Sequence, residues 1–371
     1  MIRVLHFVNL SVGGTGVSVM NYYRHIDRTR VQFDFLITAD NRDDPERQSY
    51  FANEAKMLGA NVYWRRLRPK QLIKNYRVLK RILRENPEIR VFHSHTGYAV
   101  RPAMDSLIAM LLRVPARIVY SSNDIRSQYS WRQRAVQPLL RFATTHWTAG
   151  SVAAGISMFG EKARKKLILI PRARDLNAYR YNPERRQMMR KELQVVDQYV
   201  ILHVGRLVEQ KNHTFLLDVF AHAQGMNPNM ALLIVGEGEL RHELIAKATE
   251  LGLGDSVRFL GQREDIHNLM QAADLFVFPS LYEGLGGVAI EAQTAGLPCL
   301  LADTIPAAAK ITELAEFLPI NEGPMIWSQH IMEYRNFDRR DTVDAVRRAG
   351  YDINDAAKWL ENLYLDAVGG A

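Results

Sequence analysis

Along this chain, short runs of consecutive hydrophobic residues alternate with longer stretches in which hydrophobic residues recur every three or four positions. The short runs are nearly continuous, which is typical of strands buried on both faces of a parallel sheet. The longer stretches have the spacing of amphipathic helices. The predicted strands are residues 3–8, 33–37, 91–94, 117–121, 167–170, 199–204, 231–235, 257–260, 275–278 and 298–302. Strands that alternate with helices in this way predict an α/β protein with parallel sheets.

The strands fall into two series, and 371 residues are too many for one ordinary hydrophobic core. We therefore expect two doubly wound domains, joined by the polar, irregular segment between Pro171 and Pro183. The N-terminal domain is placed at residues 1–175 and the C-terminal domain at residues 176–345. A C-terminal helix within residues 346–371 is expected to cross back to the N-terminal domain.

Charge is divided unevenly between the two series. The net charge is +8, but residues 1–175 hold 30 Lys+Arg and 13 Asp+Glu, whereas the remainder holds 18 and 27. The basic half favours an anionic partner: nucleic acid, an anionic membrane surface or a phosphorylated substrate. The single cysteine, Cys299, cannot form an internal disulfide and fits a cytoplasmic setting. No hydrophobic run reaches the roughly 18 residues of a membrane span, and the first residues are too strand-like for a signal peptide.

A glycine-rich loop follows the first predicted strand, at the edge where doubly wound domains bind ligands. Gly13 and Gly14 end this loop and open a helix. Glycine lets the backbone approach a ligand closely, and the free N–H groups at a helix start attract phosphate. The spacing is not G-x-G-x-x-G, so the pattern does not favour a dinucleotide. A tight turn without a ligand is the alternative.

In the second half, loops that follow parallel strands are expected to converge on one sheet edge. Arg206 and Lys211 follow the strand at 199–204, and two cations there suit a diphosphate. Gly236 follows the next strand and would allow a ligand to approach the backbone. A solvated basic loop is the alternative for the two cations, but the convergence of several loops supports a site.

Two carboxylates, Glu283 and Glu291, flank the turn formed by Leu285, Gly286 and Gly287. A helix is predicted over residues 288–295, with Glu291 in its first turn. Glu291 suits the two hydroxyls of a ribose and Glu283 suits the hydroxyls of a sugar. The acids would then hold two ends of a nucleotide sugar and would not act as an acid/base pair on one bond. The alternative is structural: Glu291 favours the helix dipole and Glu283 is merely exposed.

These segments resemble a known family. GRLVEQKN, LLIVGEGELRHEL and VRFLGQREDIHNLMQAADLFVFPSLYEGLGGVAIEAQTAGLPCLLAD are similar to the C-terminal half of retaining GT-B glycosyltransferases. The likeness is to the group 1, family 4-like bacterial branch that builds capsular, exopolysaccharide and lipid-linked glycans. Glu283 and Glu291 match the family's E-x7-E motif, and VGGTGVSVMNYYRHIDR resembles its N-terminal glycine loop. The resemblance covers nearly the whole chain and implies two Rossmann-like parallel-sheet α/β domains facing a cleft.

The resemblance also implies a role for each matching residue. Glu291 would bind the ribose and Glu283 the donor sugar near its anomeric centre. His95 corresponds to the family histidine that faces the anomeric carbon and the acceptor, whereas His93 is expected to point into the sheet. The expected catalytic residues are His95, Glu283, Arg206 and Lys211. The expected donor-binding residues are Gly13, Gly14, Arg206, Lys211, Gly236, Arg263, Glu283, Leu285, Gly286, Gly287 and Glu291. The expected acceptor-binding residues are His95 and Asn123.

The implied reaction is transfer of a hexosyl or N-acetylhexosaminyl group, with retention of configuration, from a nucleotide diphosphate sugar, expected to be a UDP-sugar. The acceptor would be a glycan or a lipid-linked saccharide. The leaving diphosphate would take the acceptor's proton, so that catalysis is orientation and charge stabilisation. Because the chain has no D-x-D triplet, no metal and no other cofactor are expected.

The chain departs from the family pattern at three places. These departures bear on the identity of the donor sugar and the geometry of the hinge more than on the class of reaction. Arg172 and Arg174 stand in IPRARD where IPNGID is frequent. Gly150-Ser151 replaces Cys-Ser, and Gly286-Gly287 replaces an expected proline or phenylalanine.

Residues 63–90 contain ten Lys+Arg and two acids. The hydrophobic face of a helix predicted there comprises Leu72, Ile73, Tyr76, Leu79, Ile82 and Leu83. Its basic flank comprises Lys70, Lys74, Arg77, Lys80, Arg81 and Arg84. That flank, together with Tyr129 and Trp131, is expected to contact an anionic membrane at the inner face of the cell membrane. An ordinary surface helix packed on its own sheet is the alternative.

Two other functions remain open from the residues. A non-hydrolysing nucleotide-sugar epimerase would share the architecture and act without an acceptor, but E-x7-E with its linking glycines fits the transferases better. A nucleic-acid-binding protein would place exposed aromatic residues among the basic ones, for which Tyr63-Trp64 and Tyr129 with Trp131 are candidates. No nucleic-acid partner is expected.

Overall fold

The computed structural model describes residues 1–10, 14–39, 50–66, 72–95, 99–122 and 131–369. It divides into an N-terminal unit, residues 1–174 with 350–371, and a C-terminal unit, residues 175–349. Four residues singled out in the sequence, Gly13, Lys70, Asn123 and Tyr129, lie outside the described residues. In the described part of the chain, no helix has the length and hydropathy needed to cross a bilayer.

The N-terminal unit is built on a parallel sheet in the order β3-β2-β1-β4-β5-β6-β7. The strands are β1 Ile2–Phe7, β2 Val31–Ala39, β3 Val62–Arg66, β4 Ile89–His95, β5 Ala116–Ser121, β6 His146–Ala149 and β7 Leu167–Leu169. The helices up to residue 159 are α1 Gly14–His25, α2 Ala52–Met57, α3 Leu72–Glu85, α4 Val100–Leu111, α5 Trp131–Ala143 and α6 Val152–Phe159. The strand order reverses between β1 and β4, which makes the carboxyl ends of these two strands the expected place for a ligand.

The C-terminal unit contains a parallel sheet in the order β10-β9-β8-β11-β12-β13. Its strands are β8 Tyr199–Val204, β9 Met230–Val235, β10 Val257–Phe259, β11 Leu275–Phe278, β12 Cys299–Ala302 and β13 Ala315–Leu318. Its helices are α7 Leu176–Tyr179, α8 Pro183–Glu192, α9 His213–Met226, α10 Arg241–Glu250, α11 Ile266–Ala272, α12 Gly287–Thr294, α13 Gly323–Glu333 and α14 Val343–Arg348. Here the order reverses between β8 and β11, so the loops after these strands define the corresponding edge.

The strands form where hydrophobic side chains can be buried on both faces of a sheet. All six residues of β9 are buried, as a central strand between two layers of helices requires. Helix starts carry polar caps: the side chain of Asn182 accepts a hydrogen bond from the amide of Arg185 (2.8 Å), and Pro183 begins α8.

The final helix, α15 Ile353–Gly369, belongs to the N-terminal unit. It buries Ile353, Leu360 and Tyr364 in the same hydrophobic cluster as residues of β1, β2 and α1. Glu361 of this helix pairs with Arg30. The chain therefore returns to its N-terminal sheet after completing the C-terminal unit.

The predicted fold class, two doubly wound parallel α/β sheets, is confirmed. Every predicted strand is present, with ends that differ by at most two residues. Three strands were not predicted: β3, β6 and β13. Two of them, β3 and β13, lie at sheet edges, and all three mix polar with hydrophobic residues, so they lack the continuous hydrophobic run of a central strand.

The predicted hydrophobic face of α3 is partly wrong. Leu79 and Ile82 are buried and pack in one cluster with Phe7 of β1 and Ile108 of α4. Ile73, however, is 69% exposed and does not join that face. The basic side chains of the helix that the structure describes, from Lys74 to Arg84, are all exposed.

Candidate active site

The loops after β8, β9 and β10 are hydrogen-bonded to one another at the carboxyl edge of the C-terminal sheet. The amide of Gly205 donates to the carbonyl of Val235 (2.9 Å), and the amide of Gly236 donates to the carbonyl of Gly261 (2.8 Å). At Gly236, φ is +140°, and a Cβ atom would lie 2.0 Å from the carbonyl oxygen of Gly205. Glycine is therefore required here, because any side chain would push the two loops apart.

The loop after β8 is also bonded to the loop after β11. The amide of Leu281 donates to the carbonyl of Gln210 (2.8 Å), and the side-chain amide of Gln210 donates to the carbonyl of Tyr282 (2.8 Å). These bonds bring Lys211 beside Glu283, and the ammonium of Lys211 pairs with the carboxylate. Two residues that lie 72 positions apart in the sequence thus form one charged unit at the point where the strand order reverses.

The Lys211–Glu283 pair is largely shielded from solvent, with side chains 14% and 10% exposed. The ammonium also lies 4.6 Å from the centre of the Phe278 ring, within the range of a cation–π interaction. Glu283 is therefore not merely exposed, as the structural alternative required. Its carboxylate is a partly desolvated acceptor whose charge is balanced by one lysine.

Arg206 differs from Lys211 in its surroundings. Its side chain is exposed, and the described residues offer its guanidinium no ion pair. The edge therefore carries two cations of different kinds: Lys211, already neutralised by Glu283, and Arg206, open to an incoming anion.

The turn before α12 has the backbone that its glycines predict. Gly286 has φ +75°, a left-handed conformation that suits glycine, and Gly287 begins the helix while Leu285 is buried. Because the helix starts at Gly287, Glu291 lies at its fifth position, and the prediction that it occupies the first turn is wrong. The alternative that Glu291 only stabilises the helix dipole is weakened, because a carboxylate interacts with the dipole most strongly in the first turn.

Glu291 is 8% exposed, so its carboxylate is buried at this edge. Its charge is felt by His267 of α11: burial lowers the pKa of that histidine, and Glu291 is among the carboxylates that oppose the shift. A buried carboxylate beside a glycine-rich turn can accept hydrogen bonds from ligand hydroxyls at a place where water competes poorly.

The side chain of Arg263, which follows β10, is paired with a neighbouring carboxylate. Its guanidinium donates two hydrogen bonds to Asp265, both 2.7 Å long. This pairing holds the pKa of the Asp265 carboxyl below its usual value. The backbone at Arg263, rather than its side chain, is thus what remains for a ligand, and the expected donor-binding role of this residue stays a prediction.

In the N-terminal unit, Gly14 begins α1 and lies against Arg172. A Cβ atom at Gly14 would be 3.1 Å from Nη1 of Arg172, whose Nη2 donates to the carbonyl of Ser122 (3.4 Å). One of the two arginines that depart from the family pattern therefore lies against Gly14, where it adds a positive charge to the start of α1.

Three histidines meet where β1 and β4 pair. Nδ1 of His6 lies 2.9 Å from Nε2 of His95, and Nδ1 of His93 lies 2.8 Å from the hydroxyl of Tyr364 on α15. His93 is buried, as predicted, whereas His95 ends its strand at the sheet edge. Burial lowers the pKa of His95 to about 3, and burial lowers those of His6 and His93 well below the usual value. All three imidazoles are therefore neutral at physiological pH.

The sequence interpretation missed His6. The available signal was its position: it is the penultimate residue of β1, the strand that pairs with β4, and it stands in register with His93. A single histidine inside a hydrophobic strand gave no reason to select it before the pairing of these strands was known.

The same cluster also has the composition of a metal site. Neutral imidazole is a common metal ligand, and one nitrogen of each histidine lies within 4.8 Å of the others. Among the described residues, no other group of His, Cys, Asp and Glu meets this criterion. The expectation that the protein needs no metal stays a prediction.

Comparison with known families gives two matches that together span most of the chain. Residues 184–320 match the model described as glycosyl transferases group 1. Residues 13–169 match the model described as glycosyl transferase 4-like domain.

Three curated bacterial proteins are similar in sequence. The putative glycosyltransferase EpsF of Bacillus subtilis is 31% identical over 98% of this chain and 96% of its own length. The capsular polysaccharide biosynthesis glycosyltransferase CapH of Staphylococcus aureus is 24% identical over 98% of this chain and 99% of its own. The UDP-Gal:alpha-D-GlcNAc-diphosphoundecaprenol alpha-1,3-galactosyltransferase of Escherichia coli is 34% identical over 37% of each chain.

A solved structure shows the same fold. Alr3699/HepE of Anabaena, determined in complex with UDP, superposes with a TM-score of 0.79 at 19% identity, covering 99% of this chain and 100% of that one. At this level of identity the likeness concerns the fold, which is of the GT-B type.

Proposed function

The chain belongs to the group 1 glycosyl transferases, and from that premise we propose that it transfers a sugar from a UDP-sugar to a lipid-linked saccharide, with retention of configuration, in the synthesis of a cell-surface polysaccharide. The observation that carries this proposal is the charged edge of the C-terminal unit. There, Arg206, the Lys211–Glu283 pair and Glu291 surround glycine-lined loops that a nucleotide sugar can approach.

Each part of the donor has a matching group at this edge. The ribose hydroxyls suit the buried carboxylate of Glu291, and the sugar hydroxyls suit the carboxylate of Glu283. The diphosphate suits Arg206, Lys211 and the N–H groups at the start of α12. The assignment of UDP is supported by the structural neighbour of the same fold that binds it.

Retention follows from a reaction on one face of the sugar. The bond from the anomeric carbon to the diphosphate breaks, the acceptor oxygen bonds to the same face, and the acceptor's proton passes to an oxygen of the leaving diphosphate. Arg206 and Lys211 would stabilise the charge that develops on that diphosphate. Glu283 is paired with Lys211, and such a carboxylate is better suited to orienting hydroxyls than to attacking carbon.

His95 is proposed to contact the acceptor. Burial holds its pKa at about 3, so it is neutral under the conditions of catalysis and can orient a hydroxyl without carrying charge. His6, at 2.9 Å, restricts the orientation of its ring. A neutral histidine at this place contributes position rather than general acid catalysis.

The acceptor class is proposed from the relatives. The galactosyltransferase of Escherichia coli acts on a sugar linked to diphosphoundecaprenol, and CapH acts in capsular polysaccharide biosynthesis. A lipid-linked acceptor is reached at a membrane surface, and α3 presents Lys74, Arg77, Lys80, Arg81 and Arg84 to solvent together with the exposed Ile73. Trp131 is 75% exposed at the start of α5 and is an aromatic candidate for contact with that membrane surface.

The experiment that tests the proposal is a transfer assay with a panel of UDP-, GDP- and ADP-sugars and an N-acetylglucosamine diphosphate lipid as acceptor. The expected result is transfer from a UDP-sugar, with a product whose anomeric proton coupling shows the configuration of the donor. An inverted product would exclude retention. Turnover of the UDP-sugar that needs no acceptor would favour the epimerase alternative.

A further inference from the structure

Arg65 and Arg101 share a single carboxylate in the N-terminal unit. Arg65 is the penultimate residue of β3 and donates two 3.0 Å hydrogen bonds to Asp105 of α4. Arg101 lies in the first turn of α4, and its Nε is 3.6 Å from the same carboxylate. The guanidinium carbons of both arginines lie over the ring of Phe7, the last residue of β1, at 4.9 and 4.2 Å from its centre.

The cluster carries a net positive charge that the described residues do not balance. Arg65 and Asp105 are each 4% exposed, and Arg101 is 31% exposed. Nε of Arg65 and both Nε and Nη2 of Arg101 are buried, and the described part of the chain offers these atoms no hydrogen-bond acceptor. Burial, followed by repulsion from Arg65, lowers the pKa of Arg101 to about 10, although Asp105 opposes the shift. Buried donors of this kind are costly unless an acceptor arrives.

The position of the cluster indicates what that acceptor is. Phe7, Arg65 and the start of α4 lie at the carboxyl ends of their strands or just beyond them, at the edge where this fold binds ligands. The same sheet face carries α3, whose hydrophobic residues pack in one cluster with Phe7 and α4. Two guanidinium groups that compete for one carboxylate suit a ligand with several anionic oxygens, such as a phosphate or diphosphate.

We propose that Arg101, held by Arg65 and Asp105 over Phe7, binds the phosphate or diphosphate group of the acceptor. The proposal deepens the proposed function, on which it rests for the lipid-diphosphate acceptor. Because the Arg101 side chain is 31% exposed, a ligand can reach its guanidinium from solvent. The ligand's oxygens would then accept hydrogen bonds from the buried N–H groups of the two arginines. Arg65 positions Asp105, and Asp105 positions Arg101.

The test uses four proteins: wild type, Arg101→Gln, Arg101→Lys and Arg90→Gln. Removal of Arg101 leaves Asp105 with both hydrogen bonds from Arg65, so the variant keeps its buried ion pair. Arg90 is an exposed arginine near the start of β4, at the opposite edge of the same sheet, and makes the matched change of charge. Thermal unfolding of each variant verifies that the fold is kept.

Inorganic diphosphate is titrated calorimetrically into each protein with UDP held at saturation, so that the nucleotide site is filled. Wild type and Arg90→Gln should bind it equally, Arg101→Gln about ten- to a hundredfold more weakly, and Arg101→Lys in between, because one charge-assisted contact is lost or weakened. Equal binding by Arg101→Gln, or no binding by wild type, would overturn the proposal. Absence of UDP binding in all four proteins would instead count against the proposed function.

Steady-state kinetics then distinguish a free phosphate ligand from the acceptor. The same saccharide is offered on a polyprenyl diphosphate and on an uncharged alkyl chain. Arg101→Gln should raise the acceptor KM about tenfold or more for the diphosphate-linked saccharide only, with the donor KM unchanged. An equal rise for both acceptors, or for neither, would show that the cluster does not bind the acceptor's phosphate.

Discussion

At the residue scale, the Lys211–Glu283 pair has a consequence for donor binding. The lysine that would hold the diphosphate is occupied by a carboxylate, which also repels the incoming anion. When the diphosphate binds, Lys211 must therefore interact with two anions, the diphosphate and the carboxylate of Glu283. Glu283 is thus expected to favour the complete nucleotide sugar, whose hydroxyls it can accept, over the nucleotide alone.

Glu283→Gln should bind UDP more tightly than wild type, by roughly threefold or more, because Lys211 loses its competing anion. Sugar transfer should nevertheless fall by about tenfold or more in kcat/KM, since a neutral amide accepts sugar hydroxyls less well than a carboxylate. Calorimetry with UDP and a transfer assay measure the two effects.

Glu209→Gln is the matched control for that change, because Glu209 is exposed in the same short turn as Lys211. It should alter neither quantity. Weaker UDP binding by Glu283→Gln would mean that the carboxylate supports Lys211 rather than competing for it.

Much of the C-terminal site was predictable at this scale because loops after parallel strands must meet at one edge. The convergence of loops after predicted strands made Arg206, Lys211, Gly236, Glu283 and Glu291 candidates, and their binding roles stay predictions. What the sequence could not show is pairing across the fold: Lys211 with Glu283, His6 with His95 and Arg65 with Asp105. Each of these pairs joins segments that are distant in the sequence.

At the element scale, strand prediction missed β3, β6 and β13, which mix polar with hydrophobic residues, although it located the edge strands β7 and β10. The helix α3 shows a similar limit. Periodicity located the helix, but it assigned Ile73 to the packed face, whereas the structure leaves this side chain exposed among basic residues. Near a helix end, the packed face depends on where the neighbouring elements stop.

The exposed basic face of α3 makes binding to anionic lipid testable. Each Lys or Arg near such a surface contributes about 1 kcal/mol, and the attraction decays over a Debye length of about 10 Å at 0.1 M salt. Wild type should sediment with vesicles that contain phosphatidylglycerol at low salt and be released at high salt. Neutralisation of Lys74, Arg77, Lys80, Arg81 and Arg84 should abolish this binding.

A variant that neutralises five exposed basic residues of the C-terminal unit provides the comparison for α3. It should still sediment. If wild type binds neutral and anionic vesicles equally, or if both variants bind alike, the basic face of α3 does not recognise lipid charge.

At the scale of the whole molecule, both units bury neutral histidines. Burial lowers the pKa of His213 to about 4 and that of His95 to about 3, and it lowers those of His6, His93 and His203 well below normal. In the unfolded chain these histidines have a pKa near 6.5. As the pH falls below that value, the unfolded chain therefore binds protons that the folded chain does not bind. Stability is therefore full above about pH 6.5 and declines below it, towards the folded pKa values.

Between the unfolded and the folded pKa, each such histidine should lower the free energy of unfolding by about 1.4 kcal/mol for every pH unit of acidification. Urea unfolding midpoints at pH 7.5, 6.0 and 5.0 measure the decline. His213→Asn should flatten it relative to wild type, whereas His242→Asn, which changes an exposed histidine, should not. Equal pH dependence in all three proteins would show that His213 is not held neutral by the fold.

The chain is also expected to work without a metal ion. On the proposed function, Arg206 and Lys211 would neutralise the diphosphate in place of a divalent ion, and the sequence has no D-x-D triplet. Transfer should survive prolonged treatment with EDTA. Complete loss that Mg²⁺ or Mn²⁺ restores would contradict this, and restoration by Zn²⁺ alone would direct attention to His6, His93 and His95.

The central claim is that the edge of the C-terminal unit binds a nucleotide through Glu291, and a calorimetric titration with UDP tests it most directly. Wild type should bind UDP, and Glu291→Ala should bind it about ten- to a hundredfold more weakly, because a buried charge-assisted contact to the ribose is lost. Glu250→Ala removes an exposed carboxylate at the far end of α10 and should bind as wild type does. No UDP binding by wild type, or unchanged affinity in Glu291→Ala, would contradict the account.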